Sequence, residues 1–242
     1  MFDDINADKF YENEPQEFVE SVERLSEILE DCKNYNCNKF NTMANKNKIK
    51  NNFPTLFINI DGNKSNFDSL VTELNRINHE FSVVALAETN INSSEKDLYC
   101  ISDKYTSVYQ SKIENKNKGS GLGLYINNKF NFTPNDSLSL CDQDIESLFV
   151  NIAGMEKPTV VGAIYRPPSG NIQRFNYELQ HIILTELTDC DAYILGDFNI
   201  NLHNIQSVSH QNFEELVITS GFTPLISIST HQQPNKSAPR HA

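Results

Sequence analysis

The densest chemical signal in this 242-residue chain runs from Tyr193 to Leu202. An apolar run, Tyr193-Ile194-Leu195-Gly196, leads into Asp197-Phe198-Asn199. That pattern reads as a buried strand whose carboxyl end delivers an acid and an amide. Side chains alternate along a strand, so Asp197 and Asn199 share a face if the strand continues through them. Ligand groups gather at the carboxyl ends of strands in α/β folds. An acid beside an amide can bind a metal, orient a water or hold a phosphate oxygen. The competing reading is an Asx-type turn after a strand.

Three more apolar runs end in polar groups of the same kind. Leu56 to Ile60 carries Asn59 and leads into Asp61, Ser82 to Ala87 leads into Glu88, and Thr159 to Tyr165 ends in a phenol. Carboxylates, amides and a phenol converging from separate strand ends are what a metal-assisted site requires. So oxygen-rich a set suits a hard cation such as Mg2+, which takes few protein carboxylates and keeps positions for water and phosphate. A phosphodiester needs its charge offset, a water deprotonated and a leaving oxygen stabilised.

The elements that must position these groups follow from periodicity. Phe67, Leu70, Val71, Leu74 and Ile77 predict a helix over 65–79, capped near Ser65 or Asn66, between two parallel strands. Tyr105 to Tyr109 is a short strand, and Gly119 to Ile126 a glycine-thinned one. Gly119-Ser120-Gly121 neither follows a strand nor carries a Lys-Ser/Thr pair, which excludes a P-loop. Ile145 to Ile152 and Thr159 to Tyr165 read as an antiparallel pair. Helices are expected over 171–187 and 211–220, with one more strand over 223–229.

Composition sets the boundaries. Met1 to Asp31 holds eleven acids against Lys9 and Arg24, a local balance of −9 out of −12 for the chain. No strongly basic footprint for charge-driven nucleic-acid binding is present. Residues 1–33 read as an acidic amphipathic helix region, with Phe18, Val22, Leu25 and Leu29 on one face, offering either a docking surface for a protein partner or a solvated appendage. Residues 34–54 read as an Asn/Lys-rich linker and 55–242 as the domain proper. Five cysteines in an odd, unpaired pattern point to reduced thiols and an intracellular setting, nuclear or cytoplasmic, rather than secretion.

Taken in order, Asn59-Ile60-Asp61-Gly62, Ala87-Glu88-Thr89, Gly162-Ala163-Ile164-Tyr165-Arg166-Pro167-Pro168 and Gly196-Asp197-Phe198-Asn199 resemble the successive motifs of the endonuclease/exonuclease/phosphatase superfamily. Tyr165-Arg166-Pro167-Pro168, with Phe222-Thr223-Pro224-Leu225-Ile226 further on, is most similar to the endonuclease domains of LINE-type (non-LTR) retrotransposons. The match covers about residues 55 to 233. The resemblance implies a four-layered α/β sandwich, two packed mixed sheets flanked by helices. It also implies a Mg2+-dependent DNA endonuclease, with Mn2+ as a substitute. Glu88 would be the principal metal ligand, with Asn59 and Asp61 beside it. Asp197 would orient or deprotonate the attacking water, Asn199 would bind the phosphate, and Tyr165 would contact the phosphate or the leaving oxygen. Arg166 would either touch phosphate or form an outward salt bridge, and Glu146 is structural.

One departure stands out. The family's closing Asp-His pair on a last strand has no counterpart before Ala242, and His231 and His241 lie outside the matching context. The expectation is therefore a domain lacking its last strand, with nicking activity impaired. The alternative is an inactive relic that binds nucleic acid or a protein. A third reading keeps the hydrolase and changes the substrate to a phosphoinositide or a small phosphodiester.

Overall fold

The computed structural model describes residues 33, 35–47, 53–113, 119–201, 204 and 206–226. The acidic region before residue 33, its expected helix and partner surface, and the stretch after residue 226 with His231 and His241 lie outside them. By contacts the chain divides into two units, one comprising 36–216 and the other the two terminal stretches.

The first described helix, α1 (Cys37–Asn47), occupies sequence whose composition predicts a linker. Asn36 caps it, accepting the Lys39 N–H at 2.9 Å. Cys37, Phe40 and Ala44 then recur on one face, with Ala44 buried. Phe40 stacks on Phe81, ring centroids 6.4 Å apart. The Asn41 amide donates to Arg76 O at 2.8 Å and accepts the Asn78 N–H at 2.8 Å. The asparagines that suggest a linker therefore cap and dock a helix. Phe53, also read as linker, is buried in the central core.

β1 (Thr55–Asn59), α2 (Asn63–Arg76) and β2 (Val83–Ala87) form the expected strand–helix–strand unit, with β1 and β2 parallel. α2 begins two residues before the expected cap. Gly62 stands at its N-cap, and Asn66 donates its amide to Ile60 O and Asp61 O at 2.8 and 3.1 Å. Ser65 and Asn66 thus tie down the loop after β1 instead of opening the helix.

β3 (Tyr105–Gln110) and β4 (Leu122–Asn127) complete the first sheet, in the order β1-β2-β4-β3. β5 (Asn131–Pro134), a four-residue strand too short and polar to read from sequence, opens the second. β6 (Glu146–Ala153) and β7 (Thr159–Tyr165) pair antiparallel as expected, α3 (Ile172–Glu186) follows, and β8 (Asp191–Asp197) pairs parallel with β7. The order is β5-β6-β7-β8.

The two sheets pack face to face. Val83, Ala85 and Ala87 of β2 and Leu122, Leu124 and Ile126 of β4 meet Leu148, Val150, Val161, Ala163 and Tyr165 from the second sheet. The alternate residues Val84 and Leu86 face outward onto Phe67 and Leu70 of α2. That double cover is why β2 is apolar throughout. On the far side α3 buries Phe175, Leu179, Ile182 and Ile183. The result is the four-layered α/β sandwich, with each sheet mixed.

Two expectations are corrected. β8 is half-buried rather than buried, because it is an edge strand that pairs only with β7 among the described residues. Thr223 to Ile226 form no strand, and the rest of that segment lies outside the described residues. α4 (Val208–Thr219) closes with the Gly221 N–H on Ile218 O and the Phe222 N–H on Val217 O, both at 3.0 Å.

Candidate active site

β1, β2, β7 and β8 run in one sense within their parallel pairs, and their carboxyl ends bring Asn59, Glu88, Tyr165 and Asp197 together. Asn59 Nδ2 donates to Glu88 Oε1 at 2.8 Å and to Asp197 Oδ2 at 2.9 Å. One amide thereby links the two sheets. Tyr165 Oη donates to the same Glu88 Oε1 at 2.9 Å. Burial first, and the Glu88 carboxylate second, push the Tyr165 phenol far above tyrosine's ordinary range. The phenol is a neutral hydrogen-bond donor.

The loops after these strands carry unusual backbone. Asp61, Glu88, Asn90 and Asn199 are the non-glycine residues with positive φ among those described, at 47°, 55°, 53° and 49°. Asn and Asp tolerate that region, whereas for Glu88 it costs roughly 1–2 kcal/mol. Strain of this kind persists only where the surroundings impose it, and it clusters at functional sites. Here the surroundings are explicit. Glu88 O accepts the Gly62 N–H at 2.8 Å and the Asn90 amide at 3.1 Å, and the Thr89 N–H donates to Gly121 O at 3.1 Å.

Asp61 lies on the exposed loop that these bonds hold beside Glu88, and its N–H donates to Asn59 Oδ1 at 3.2 Å. Asn199 does not sit on β8, which ends at Asp197. The chain turns there, so the two side chains do not share a strand face. The Asn199 N–H instead donates to Asp197 Oδ1 at 3.1 Å, and its Nδ2 to Arg166 O at 2.8 Å. This is the Asx-type turn of the competing reading, with the acid kept at the strand end.

Arg166 does not form the outward salt bridge expected of it among the described residues. It is buried, and its guanidinium donates to the carbonyls of Phe198, Asn199, Gly170 and Pro167. Glu146 is wholly buried and accepts the Gly121 N–H at 2.6 Å. That bond holds the Gly119–Gly121 turn against the site, and a Cβ on Gly119 would lie 3.4 Å from Tyr165 Oη and 3.5 Å from Glu88 Oε2. Glu146 is thus structural, as expected; sequence reading missed Gly119, whose only signal was a paired glycine turn just before a strand.

The donor set fits a hard divalent cation. Glu88 spends Oε1 on Asn59 and Tyr165, and no hydrogen bond from a described residue reaches Oε2. Among the described residues no three His, Cys, Asp or Glu side chains are grouped to chelate an ion by themselves. Such a set suits an ion that keeps waters and takes a substrate phosphate. Among the described residues no helix is long and apolar enough to cross a membrane.

Comparison with known proteins agrees with this fold. The fold resembles the endonuclease domain of TRAS1, a telomere-specific non-LTR retrotransposon, at 9% identity and a TM-score of 0.52 over 70% of this chain and 71% of that one. It also resembles the AP endonuclease LMAP from Leishmania major, at 13% identity and a TM-score of 0.53 over 84% and 78%. No curated protein matches the sequence. The model of the Endonuclease/Exonuclease/phosphatase family matches residues 35–236, so the chain belongs to that family of nucleases and phosphatases.

Proposed function

We propose that this protein hydrolyses phosphodiester bonds in DNA with the aid of Mg2+, as a nicking endonuclease of the non-LTR retrotransposon kind. The observation that carries the reading is the Asn59 amide shared between Glu88 and Asp197, with the Tyr165 phenol on the same Glu88 oxygen. The choice of DNA is supported by the endonuclease motifs of the sequence and by two similar folds, both described as endonucleases.

Glu88, whose Oε2 accepts no hydrogen bond from a described residue, would hold the cation together with Asp61 and Asn59. When bound, Mg2+ or Mn2+ offsets phosphate charge and stabilises the departing oxygen. Asp197 has one oxygen fixed by Asn59 and the other by the Asn199 N–H, which aims its remaining lone pairs. It takes a proton from the water whose oxygen attacks phosphorus, as the bond to the leaving oxygen breaks. Asn199 keeps a second amide hydrogen for a phosphate oxygen. Tyr165, neutral, turns its single O–H from Glu88 to the phosphate or the leaving oxygen when substrate binds.

Supercoiled plasmid tests this reading, incubated with the folded chain in Mg2+ and in EDTA beside Glu88→Gln. Open-circular product in Mg2+, none in EDTA, and a raised Mg2+ requirement in the variant are expected. Equal nicking in EDTA would contradict it. So would an intact plasmid from a chain that cleaves phosphomonoesters, which would make it a phosphatase.

A further inference from the structure

We propose that Arg166 is a positioning residue that locks the turn carrying Asp197 and Asn199, acting through backbone carbonyls and not on the substrate. The inference rests on the hydrolase reading above.

Every hydrogen-bonding group of Arg166 reaches one of two loops. Nε donates to Phe198 O at 2.7 Å, Nη2 to Asn199 O at 2.5 Å, and Nη1 to Gly170 O at 2.8 Å and Pro167 O at 3.3 Å. Its backbone N–H donates to Asp197 O at 3.0 Å, and its carbonyl accepts the Asn199 amide at 2.8 Å. The loop after β7 and the turn after β8 are thus closed on each other at both main chain and side chain. Phe198 is gripped from the other side by Phe175 and Phe213, ring centroids 6.0 and 5.2 Å away.

The arrangement is costly to keep unless it does something. Among the described residues the buried guanidinium forms no ion pair, so only carbonyls offset its desolvation. Burial accordingly lowers the Arg166 pKa, and the Asp197 charge opposes that drop. Neither proline of Pro167-Pro168 has an N–H to hold its own loop. The turn being held includes Asn199 at φ 49°, in the sparsely populated left-handed region. A guanidinium fork reaches four carbonyls at once, and a lysine ammonium, a point donor on a flexible stem, cannot.

The test compares the parent with Arg166→Lys in two ways. Nicking kinetics should show kcat reduced about 10²-fold with KM changed by less than about twofold, the signature of misplaced reacting groups. Amide exchange at Asn199 should rise about tenfold while β6 and β7 stay protected. Parental kcat, a loss confined to KM, or unchanged exchange at Asn199 would overturn the proposal. A further check needs no variant: in the parent, the Arg166 Nε–H should exchange at least about tenfold more slowly than that of exposed Arg174. Equal rates would place the guanidinium in solvent and also overturn it. If the parent does not nick, the endonuclease reading fails by itself. The exchange measurements then decide the clamp alone, upheld by the slow Nε–H with a faster Asn199 in Arg166→Lys, and refuted otherwise.

Discussion

Glu88 and Asp197, on different sheets, share the amide nitrogen of Asn59 at 2.8 and 2.9 Å. In the proposed mechanism the two carboxylates keep separate tasks, Glu88 toward a cation and Asp197, held also by the Asn199 N–H, toward the attacking water. Asn59→Ala removes a donor from each. Single-turnover nicking should fall about 10²-fold, with melting shifted little because Asn59 is exposed. Because both substitutions strike one unit, the losses from Asn59→Ala and Glu88→Gln should not add, and a double-mutant cycle measures that.

Tyr165→Phe removes the hydrogen bond proposed to the charged phosphate or leaving oxygen, worth roughly 1.5–3 kcal/mol in the transition state, so the rate should drop about 10- to 10²-fold. The raised phenol pKa has a definite sign. Unfolded tyrosine titrates near about pH 10, and the folded group titrates above that. Its contribution to stability is complete below about pH 10 and is lost as pH rises above it, because the unfolded chain ionises first. Tyr109, pushed up to about 12 by burial, and Tyr125, also raised, act in the same direction. These three tyrosines should therefore add no slope to melting below about pH 10 and a steep fall beyond it, with no tyrosinate absorbance from them before unfolding.

Gly119→Ala tests the space in front of Glu88 Oε2. Gly119 has φ 71°, and its Cβ would lie 3.5 Å from that oxygen. Gly154 has φ 82° with nothing within 4 Å. Both alanine variants should lose about 1–2 kcal/mol from backbone strain. Only Gly119→Ala should raise the Mg2+ concentration for half-maximal nicking, by about tenfold. An equal Mg2+ response in the two variants would show that the cation does not bind at Oε2.

Phe40→Ala separates a docked helix from a linker. Phe40 is half-buried against Phe81 and His79, so truncation should cost about 2 kcal/mol, below the 3–5 of a fully buried phenylalanine. Denaturant melts should register that loss while kcat stays at the parental value. An unchanged midpoint would mean that α1 contributes nothing to the fold.

The strand ends were legible because apolar runs stopping at Asn59, Glu88, Tyr165 and Asp197 are local patterns. The sandwich core was legible for the same reason, since strict apolar runs such as Val83 to Ala87 imply cover on both faces. What stayed hidden depends on non-local partners. Asn36 and Asn41 look like linker composition until their caps and docking bonds are seen. Arg166 reads as a surface cation, and only the folded chain shows it surrounded by carbonyls from a loop thirty-odd positions away. Gly119 looks like a thinned strand, and its value lies in Tyr165 and Glu88 closing on it from other strands. Asn199 illustrates the opposite risk: period-two logic assumes a strand that stops at Asp197.

The most direct test of the account is the rate at which Asp197→Ala nicks supercoiled plasmid in Mg2+, beside the parent. Asp197 lies at a strand end and outside the core, so the variant should fold as the parent does. Its nicking should fall by at least about 10²- to 10⁴-fold, the loss expected of a positioned base. A folded variant that nicks as fast as the parent would contradict it.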